Sequence, residues 1–584
     1  METKAVSYFR RPSLCFAVVG LLTLGPCAGA IAAVGLPAAS PTDLDSQPGN
    51  YLSALIASSE NDTASAASYY QKALQADPHN RDLLERAFVA ALSNGDVEPA
   101  AALGERVFAH DPGNRVARLA TAVVMLARGQ YPAARARLLV GETQPVDVTS
   151  TFLAAWAYSG QGDERRAIEL LDQIRDPSLA AFRDYHAGLI ADLAGDRKEA
   201  ERRLKSAFEA NKTTLRFADA YGRFLATHGQ PDAAKSVYAA FAAGAPDNPI
   251  INRATADLAA GKAREAFVRN AKDGAAEVLY GLGGEGTRQG GEELPSLIYL
   301  RLSQYLRPSD DLTAIMLGNL LDRMKQGDLA IAAYRSVSAD SPLKGDAEIQ
   351  IALELDNLNK SAEAREQLAQ IVADRPHDVD ALSALAGLQR MDKKYSEAAQ
   401  TYDKSIAAIG IPRSENWPLF YFRGICYERD KQWPKAEVDF KKALELRPDQ
   451  PQVLNYLGYS WVDQGVNLDE AFKMLRRAVD LRPDDGYIVD SLGWAHYKLG
   501  QYDEATRTLE RAVSLKPSDP VLNDHLGDAY WRVDRRTEAR FQWNHARDMN
   551  PEAEDLPAIL KKIQDGLPAV GAGATETPQP RSGG

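Results

Sequence analysis

Residues 486–517 read GYIVDSLGWAHYKLGQYDEATRTLERAVSLKP. Apolar residues recur at helical spacing on either side of Lys498-Leu499-Gly500-Gln501-Tyr502-Asp503-Glu504, so the stretch reads as two helices joined by a tight turn. Gly500 suits the end of the first helix. Asp503 and Glu504 suit the positive end of the second helix's dipole. Pro517 stops the second helix and suits the start of whatever follows.

The same pattern recurs in neighbouring stretches at intervals of about 34 residues. In residues 486–517 its positions are Val489, Leu492, Gly493, Ala505, Leu509, Ala512 and Pro517. One period earlier stand Leu454, Leu457, Gly458, Trp461, Ala471, Leu475, Ala478 and Pro483, with one residue inserted near Val466. Before that come Phe420, Gly424, Tyr427, Ala436, Phe440, Ala443 and Pro448; after it come Leu526, Gly527, Tyr530, Ala539, Trp543, Ala546 and Pro551. The spacing has a steric cause. Gly424, Gly458, Gly493 and Gly527 fall where the first helix of a pair must approach the second, and a side chain there would push the two apart. Ala436, Ala471, Ala505 and Ala539 do the same for the second helix.

Weaker units extend the register upstream. The units begin near residues 47, 81, 115, 148, 181, 215, 277, 311, 345, 379, 417, 451, 486 and 520, about fourteen in all. The phase breaks at 249–276 and again at 412–416. These positions carry the resemblance: residues 47–552 resemble the tetratricopeptide repeat family, most clearly from residue 417. The resemblance implies an all-α, right-handed superhelical solenoid of antiparallel helix pairs. It divides the chain into degenerate repeats at 47–248, an irregular helical connection at 249–276, middle repeats at 277–412 and regular repeats at 417–552. Leu556, Ile559, Leu560 and Ile563 recur at helical spacing and mark 553–567 as a capping helix. The Ala, Gly, Pro, Thr and Ser of 568–584 read as a disordered tail.

The bulk composition agrees with a folded chain and excludes some partners. Of 584 residues, 45 % are hydrophobic and 25 % charged, which is ordinary for a soluble protein. The net charge of -12 gives no electrostatic reason to seek phosphate backbones, so nucleic acid is not expected as a partner. The first 33 residues read as a secretory signal peptide: Lys4, Arg10 and Arg11 precede the apolar run Leu14 to Leu24, and Ala28-Gly29-Ala30 and Ala30-Ile31-Ala32 fit the cleavage pattern. Residues 34–46 then form a linker. A fraying terminus or short interfacial helix is the alternative. Cys27 follows Leu24-Gly25-Pro26, and Pro26 spoils the small residue that a lipid-attachment box needs, so a soluble exported form is expected over a lipid-anchored one. The expected place is the periplasm, with outer-membrane association as the variant. Cys426 would then be the sole mature thiol, and no internal disulfide can form.

A catalytic reading finds no site. Gly281-Leu282-Gly283-Gly284-Glu285-Gly286 matches G-x-G-x-x-G, but it falls in a predicted helix and not behind a strand, so it reads as a locally loose helix. His496 and His525 lie on adjacent first helices and read as packing residues. Cys426 reads as a buried, inert thiol. No cofactor, metal or small-molecule substrate is expected, and the chain is read as a non-enzyme.

In the tetratricopeptide family the first helices line a concave groove. The groove-facing positions imply Tyr421, Glu428 and Arg429; Asn455 and Tyr459; Asp490, Trp494, Tyr497 and Lys498; and Asp524, Asp528, Trp531 and Arg532. Aromatic residues beside charges suit a protein or peptide surface. Asp490-Ser491-Leu492-Gly493-Trp494-Ala495-His496-Tyr497 and Leu522-Asn523-Asp524-His525-Leu526-Gly527-Asp528-Ala529-Tyr530-Trp531 resemble, more narrowly, exported Gram-negative repeat proteins. Some relatives of that kind are adaptors of a carboxyl-terminal processing protease and present cell-wall hydrolases to it. The expectation is a protein-binding scaffold. Its rivals are a structural part of an envelope secretion or polysaccharide-export machine and an accessory arm of an enzyme such as a glycosyltransferase.

Overall fold

The computed structural model describes residues 46–140, 144–262, 264–288 and 293–568. The expected signal segment, Cys27, the linker as far as Asp45 and the tail beyond Pro568 lie outside the described residues. Among the described residues the chain forms thirty α-helices and one small antiparallel hairpin, Leu139–Val140 with Gln144–Pro145. The all-α reading therefore holds, and the fold is a tetratricopeptide-like solenoid of helix pairs.

Local chemistry sets the helix ends. Side chains that accept from the first free N–H groups begin many first helices: Asn80 accepts from Leu83, Asn114 from Ala117, Asp378 from Ala381 and Asp519 from Leu522. A residue with positive φ turns the chain into the second helix, from Asn61 and Gly95 through to Gly500 and Asp534. These turns recur at about 34 residues, so the backbone keeps the period that the side chains announce. Inside each regular pair the close approach is real. A Cβ on Gly424 would meet Phe440 at 2.7 Å, on Gly458 Leu475 at 3.1 Å, on Gly493 Leu509 at 2.7 Å and on Gly527 Trp543 at 2.5 Å. Ala436, Ala471, Ala505 and Ala539 are fully buried.

The chain divides into two compact units after Ala364, inside the helix Ser361–Asp374 and not at 249–276. The second unit holds five helix pairs, from Val379–Met391 with Tyr395–Ile409 to Pro520–Arg532 with Arg536–Asp548, and closes with the expected cap, Leu556–Asp565.

The first unit departs from a simple stack. Its first helices are Gln47–Ser59, Arg81–Asn94, Arg115–Ala127, Val148–Ser159, Ala180–Leu193 and Leu215–Thr227. Pro249–Ala259 is then a first helix without a second. Residues 264–270 are not helical, and the chain enters Ala271–Arg288, an 18-residue helix that starts ahead of the expected position 277. This helix and Glu293–Leu306 do not extend the stack alone. Ala271–Arg288 packs on Arg115–Ala127, Val148–Ser159 and Ala180–Leu193, and Glu293–Leu306 packs on Arg81–Asn94, Val97–His110 and Arg115–Ala127. The break in period is therefore a return of the chain onto its own earlier repeats.

Candidate functional site

The resemblance implies that partners would meet the face that the first helices present in common. In the first unit that face is covered by the chain itself. Ala271–Arg288 carries glycine at three points where it crosses a large ring or sulfur. A Cβ on Gly274 would meet the Trp156 ring at 2.3 Å, one on Gly281 the Phe182 ring at 2.6 Å, and one on Gly284 the Met316 Sδ at 3.1 Å. The G-x-G-x-x-G match is thus a helix-packing face, and these glycines mark tight contact where a loose helix was expected. The aromatic floor beneath is continuous: His186 sits among Phe152, Phe182 and Tyr185, and its Nδ1 accepts from Trp156 Nε1 at 3.2 Å.

Charged groups fasten the return. Glu277 is 2 % exposed; it accepts from Tyr185 Oη at 3.1 Å and from Arg307 at 3.3 Å, and lies 3.4 Å from Arg216. Arg216 also pairs with Asp310 at 2.6 Å. Burial pushes the Glu277 carboxyl above its usual range, and the two arginines offset this only in part. At the other end Arg301 donates to the Ser93 carbonyl at 3.3 Å, Tyr305 to Glu98, and Thr63 to Gln326 at 3.0 Å. The face is filled as a core is filled.

In the second unit the expected groove residues separate into two groups. Those of the last two repeats are used in packing. Trp494 is 8 % exposed, stacked between the His525 ring at 4.0 Å and the Tyr497 ring at 4.7 Å. Asp490 holds His525 Nδ1 at 2.9 Å. Asp524 and Asp528 are buried and both accept from Lys562 of the cap, at 2.8 Å and 2.7 Å. Trp543 Nε1 donates to Asp528 at 2.9 Å. Trp531 Nε1 donates to the Leu567 carbonyl at 3.1 Å; Arg532 reaches the Pro568 carbonyl at 2.6 Å and Tyr497 Oη at 3.1 Å. Lys498 stays more exposed, 3.5 Å from Asp463. Helical spacing gives the angle of a residue around its helix. It does not tell that the next first helix brings a large side chain to that same angle. His496 and His525 do not meet: His496 bonds Gln501 at 2.7 Å and lies edge-on to Phe472.

The residues of the earlier repeats remain half-exposed. Tyr421, Glu428, Arg429, Asn455 and Tyr459 line successive first helices. Tyr456 donates to Glu428 at 3.0 Å, and Glu428 pairs with Arg429 at 3.4 Å. Burial pushes the Tyr421 phenol up to about 12. The Asn455 Oδ1 atom is buried with no hydrogen-bond partner. The same register in the preceding repeat adds three residues that the sequence reading passed over. Gly387 has open space where a Cβ would stand, Arg390 lies 4.8 Å over the Phe422 ring with its Nε unpartnered, and Met391 is 62 % exposed. Their positions, the ninth, twelfth and thirteenth from Val379, match those that pick out Glu428 and Arg429 from Trp417. Cys426 behind this face is buried, and burial pushes its thiol up to about 12, so it is an inert packing group. Among the described residues no His, Cys, Asp or Glu cluster could hold a metal ion, and no helix is long and apolar enough to cross a membrane.

Family models described as tetratricopeptide repeat match residues 51–115, 349–410 and 91–149, and one described as TPR repeat matches 493–534. Tetratricopeptide repeats are thus present at both ends of this chain and in its middle. Solved structures align with this chain at low identity. The hetero-tetramer Cut9–Hcn1 of the APC/C aligns at 15 % identity over 88 % of this chain and 96 % of that one, with a TM-score of 0.38. Yeast Tom70 aligns at 14 % identity over 89 % and 95 %, with a TM-score of 0.31. YrrB, a repeat protein with an unusual peptide-binding site, aligns at 16 % identity over 37 % and 92 %, with a TM-score of 0.23. The repeats support a protein–protein interaction scaffold.

Proposed function

We propose that this protein is an exported, non-catalytic scaffold that binds a partner protein on the first-helix face between Gly387 and Tyr459. One observation carries the choice of face. The corresponding face of the first unit is filled by Ala271–Arg288 and Glu293–Leu306, while Glu428, Arg429, Asn455 and Tyr459 remain half-exposed and Met391 exposed. The surface combines phenols, a guanidinium, an amide and a thioether, the mixture that concentrates binding energy at interfaces.

Export rests on the signal-like residues Lys4 to Ala32, and delivery of cell-wall hydrolases to a processing protease rests on the stretches around Trp494 and Trp531. Those two stretches are occupied in packing, so the protease role draws its support from resemblance alone. A secretion or polysaccharide-export component and an enzyme's accessory arm are the rival assignments. Crosslinking in intact cells followed by mass spectrometry tests the reading. Tyr421→Ala with Tyr459→Ala should reduce partner recovery, while the mature chain should begin between residues 31 and 34. Unchanged recovery from the double variant would remove the proposed face.

A further inference from the structure

The cap is held in an unusual way for a segment whose task is to cover an apolar end. Of the helix Leu556–Asp565 only Ile559 and Lys562 are buried, and Leu560 is 46 % exposed. Ile563 and Leu567 join Ile559 against the core of the last repeat, and polar ties are added to this apolar contact. Lys562 enters a pocket of two carboxylates, Asp524 and Asp528, and the carbonyls of Leu567 and Pro568 are held by Trp531 and Arg532. Gly566, with φ of +73°, lies flat against Trp531; a Cβ there would meet the indole at 2.0 Å.

The register explains the pocket. Asp490 and Asp524 are each the fifth residue of their first helices, Gly486–Lys498 and Pro520–Arg532. Asp490 is met by His525 of the next first helix, and Asp524 by Lys562 of the cap. The cap therefore stands where a further first helix would stand, and it supplies a cation to a carboxylate pair. Lys562 lies within 2.9 Å of both carboxylates, so one ammonium group serves the pair. The chain's own opening helix does not fit as the occupant in a second copy. Its residue at the His525 register is Leu52, 58 % exposed.

We propose that the face of Pro520–Arg532 is a docking site for a short, lysine-bearing amphipathic helix of a partner protein, held closed in the resting chain by its own segment 556–568. This goes beyond the scaffold reading and rests on it only in taking the chain to bind proteins. Recognition needs a lysine between Asp524 and Asp528, one apolar side chain at the Ile559 position, and a helix end whose carbonyls reach Trp531 and Arg532. A partner helix that offers these displaces the latch, and the exposed 556–568 segment is the signal of binding.

The test uses the full chain and a labelled synthetic peptide of residues 553–568. Hydrogen exchange of 556–568 should be at least tenfold faster in Lys562→Glu than in the wild type and restored in Lys562→Arg. The Lys562→Glu chain should bind the peptide at least tenfold more tightly than the wild-type chain does. Adding Asp524→Asn with Asp528→Asn should remove that binding. Lys562→Gln gives the same comparison without the added negative charge, should Lys562→Glu disturb the last repeat. Equal peptide binding by wild type and both Lys562 variants would overturn the proposal. So would release of the segment without peptide binding, or self-association of the released chain in place of peptide capture. The peptide reads only the terminal face, so its result is separate from partner recovery at Tyr421 and Tyr459.

Discussion

His186 offers a quantitative handle on the first unit, because a titratable ring lies in the floor on which the returning helix rests. The side chain is fully buried, packed by Phe152, Phe182 and Tyr185, and Nδ1 accepts from Trp156. Burial holds its pKa down to about 3, against an ordinary 6.5. Between those values the unfolded chain binds a proton that the folded chain refuses, so stability rises with pH across that window and is lost as pH falls through it. The full difference is worth up to about 5 kcal/mol. By about pH 4.5 some 2.7 kcal/mol of it is already gone relative to about pH 8, which is roughly a hundredfold in the local unfolding constant. His186→Gln keeps an acceptor for the Trp156 N–H and removes the titration. The assay is hydrogen exchange of the segment Ala180–Leu193 and of Ala271–Arg288, in wild type and variant, at several pH values. Wild type should lose protection on acidification by about 2–3 kcal/mol more than the variant does, whatever the variant costs at neutral pH. Parallel losses in the two proteins would refute the reasoning.

Other expectations follow from the packing. Gly274→Ala should destabilise the first unit by about 1–3 kcal/mol, since its Cβ would stand 2.3 Å from the buried Trp156 ring; Gly387→Ala, with open space and helical backbone, should stabilise by about 0.5–1 kcal/mol. Urea unfolding of both variants checks the opposite signs. Trp494→Ala should cost about 3–5 kcal/mol in the second unit by breaking its stack with His525 and Tyr497, and thermal unfolding should report this before any partner assay does.

Much of the fold was legible. Gly424, Gly458, Gly493 and Gly527 announced the close helix pairs, and the residues after each first helix announced the turns, because both follow from contacts within about 34 residues. The return of Ala271–Arg288 was not legible. Its partners Trp156, Phe182 and Tyr185 lie about three to four repeats away, and nothing local in a helix rich in glycine says what will lie against it. The groove residues divide for a related reason. Tyr421 and Tyr459 stay half-exposed, Tyr421 with its phenol turned into the packing, whereas Trp494 and Asp528 have the same spacing but meet His525 and Lys562. The identity of the neighbouring side chain, not the angle on the helix, decides between surface and core.

The claim at the centre is that the second unit meets partners while the first unit's face is occupied by its own chain. A photo-reactive phenylalanine placed at Tyr459 in one full-length chain and at Phe182 in another, irradiated in intact cells, tests it most directly. Position 459 should give adducts to another protein, and position 182 only links within its own chain, to Ala271–Arg288 and to the neighbouring Val148–Ser159 and Ala180–Leu193. Adducts to another protein from position 182, with none from 459, would contradict it.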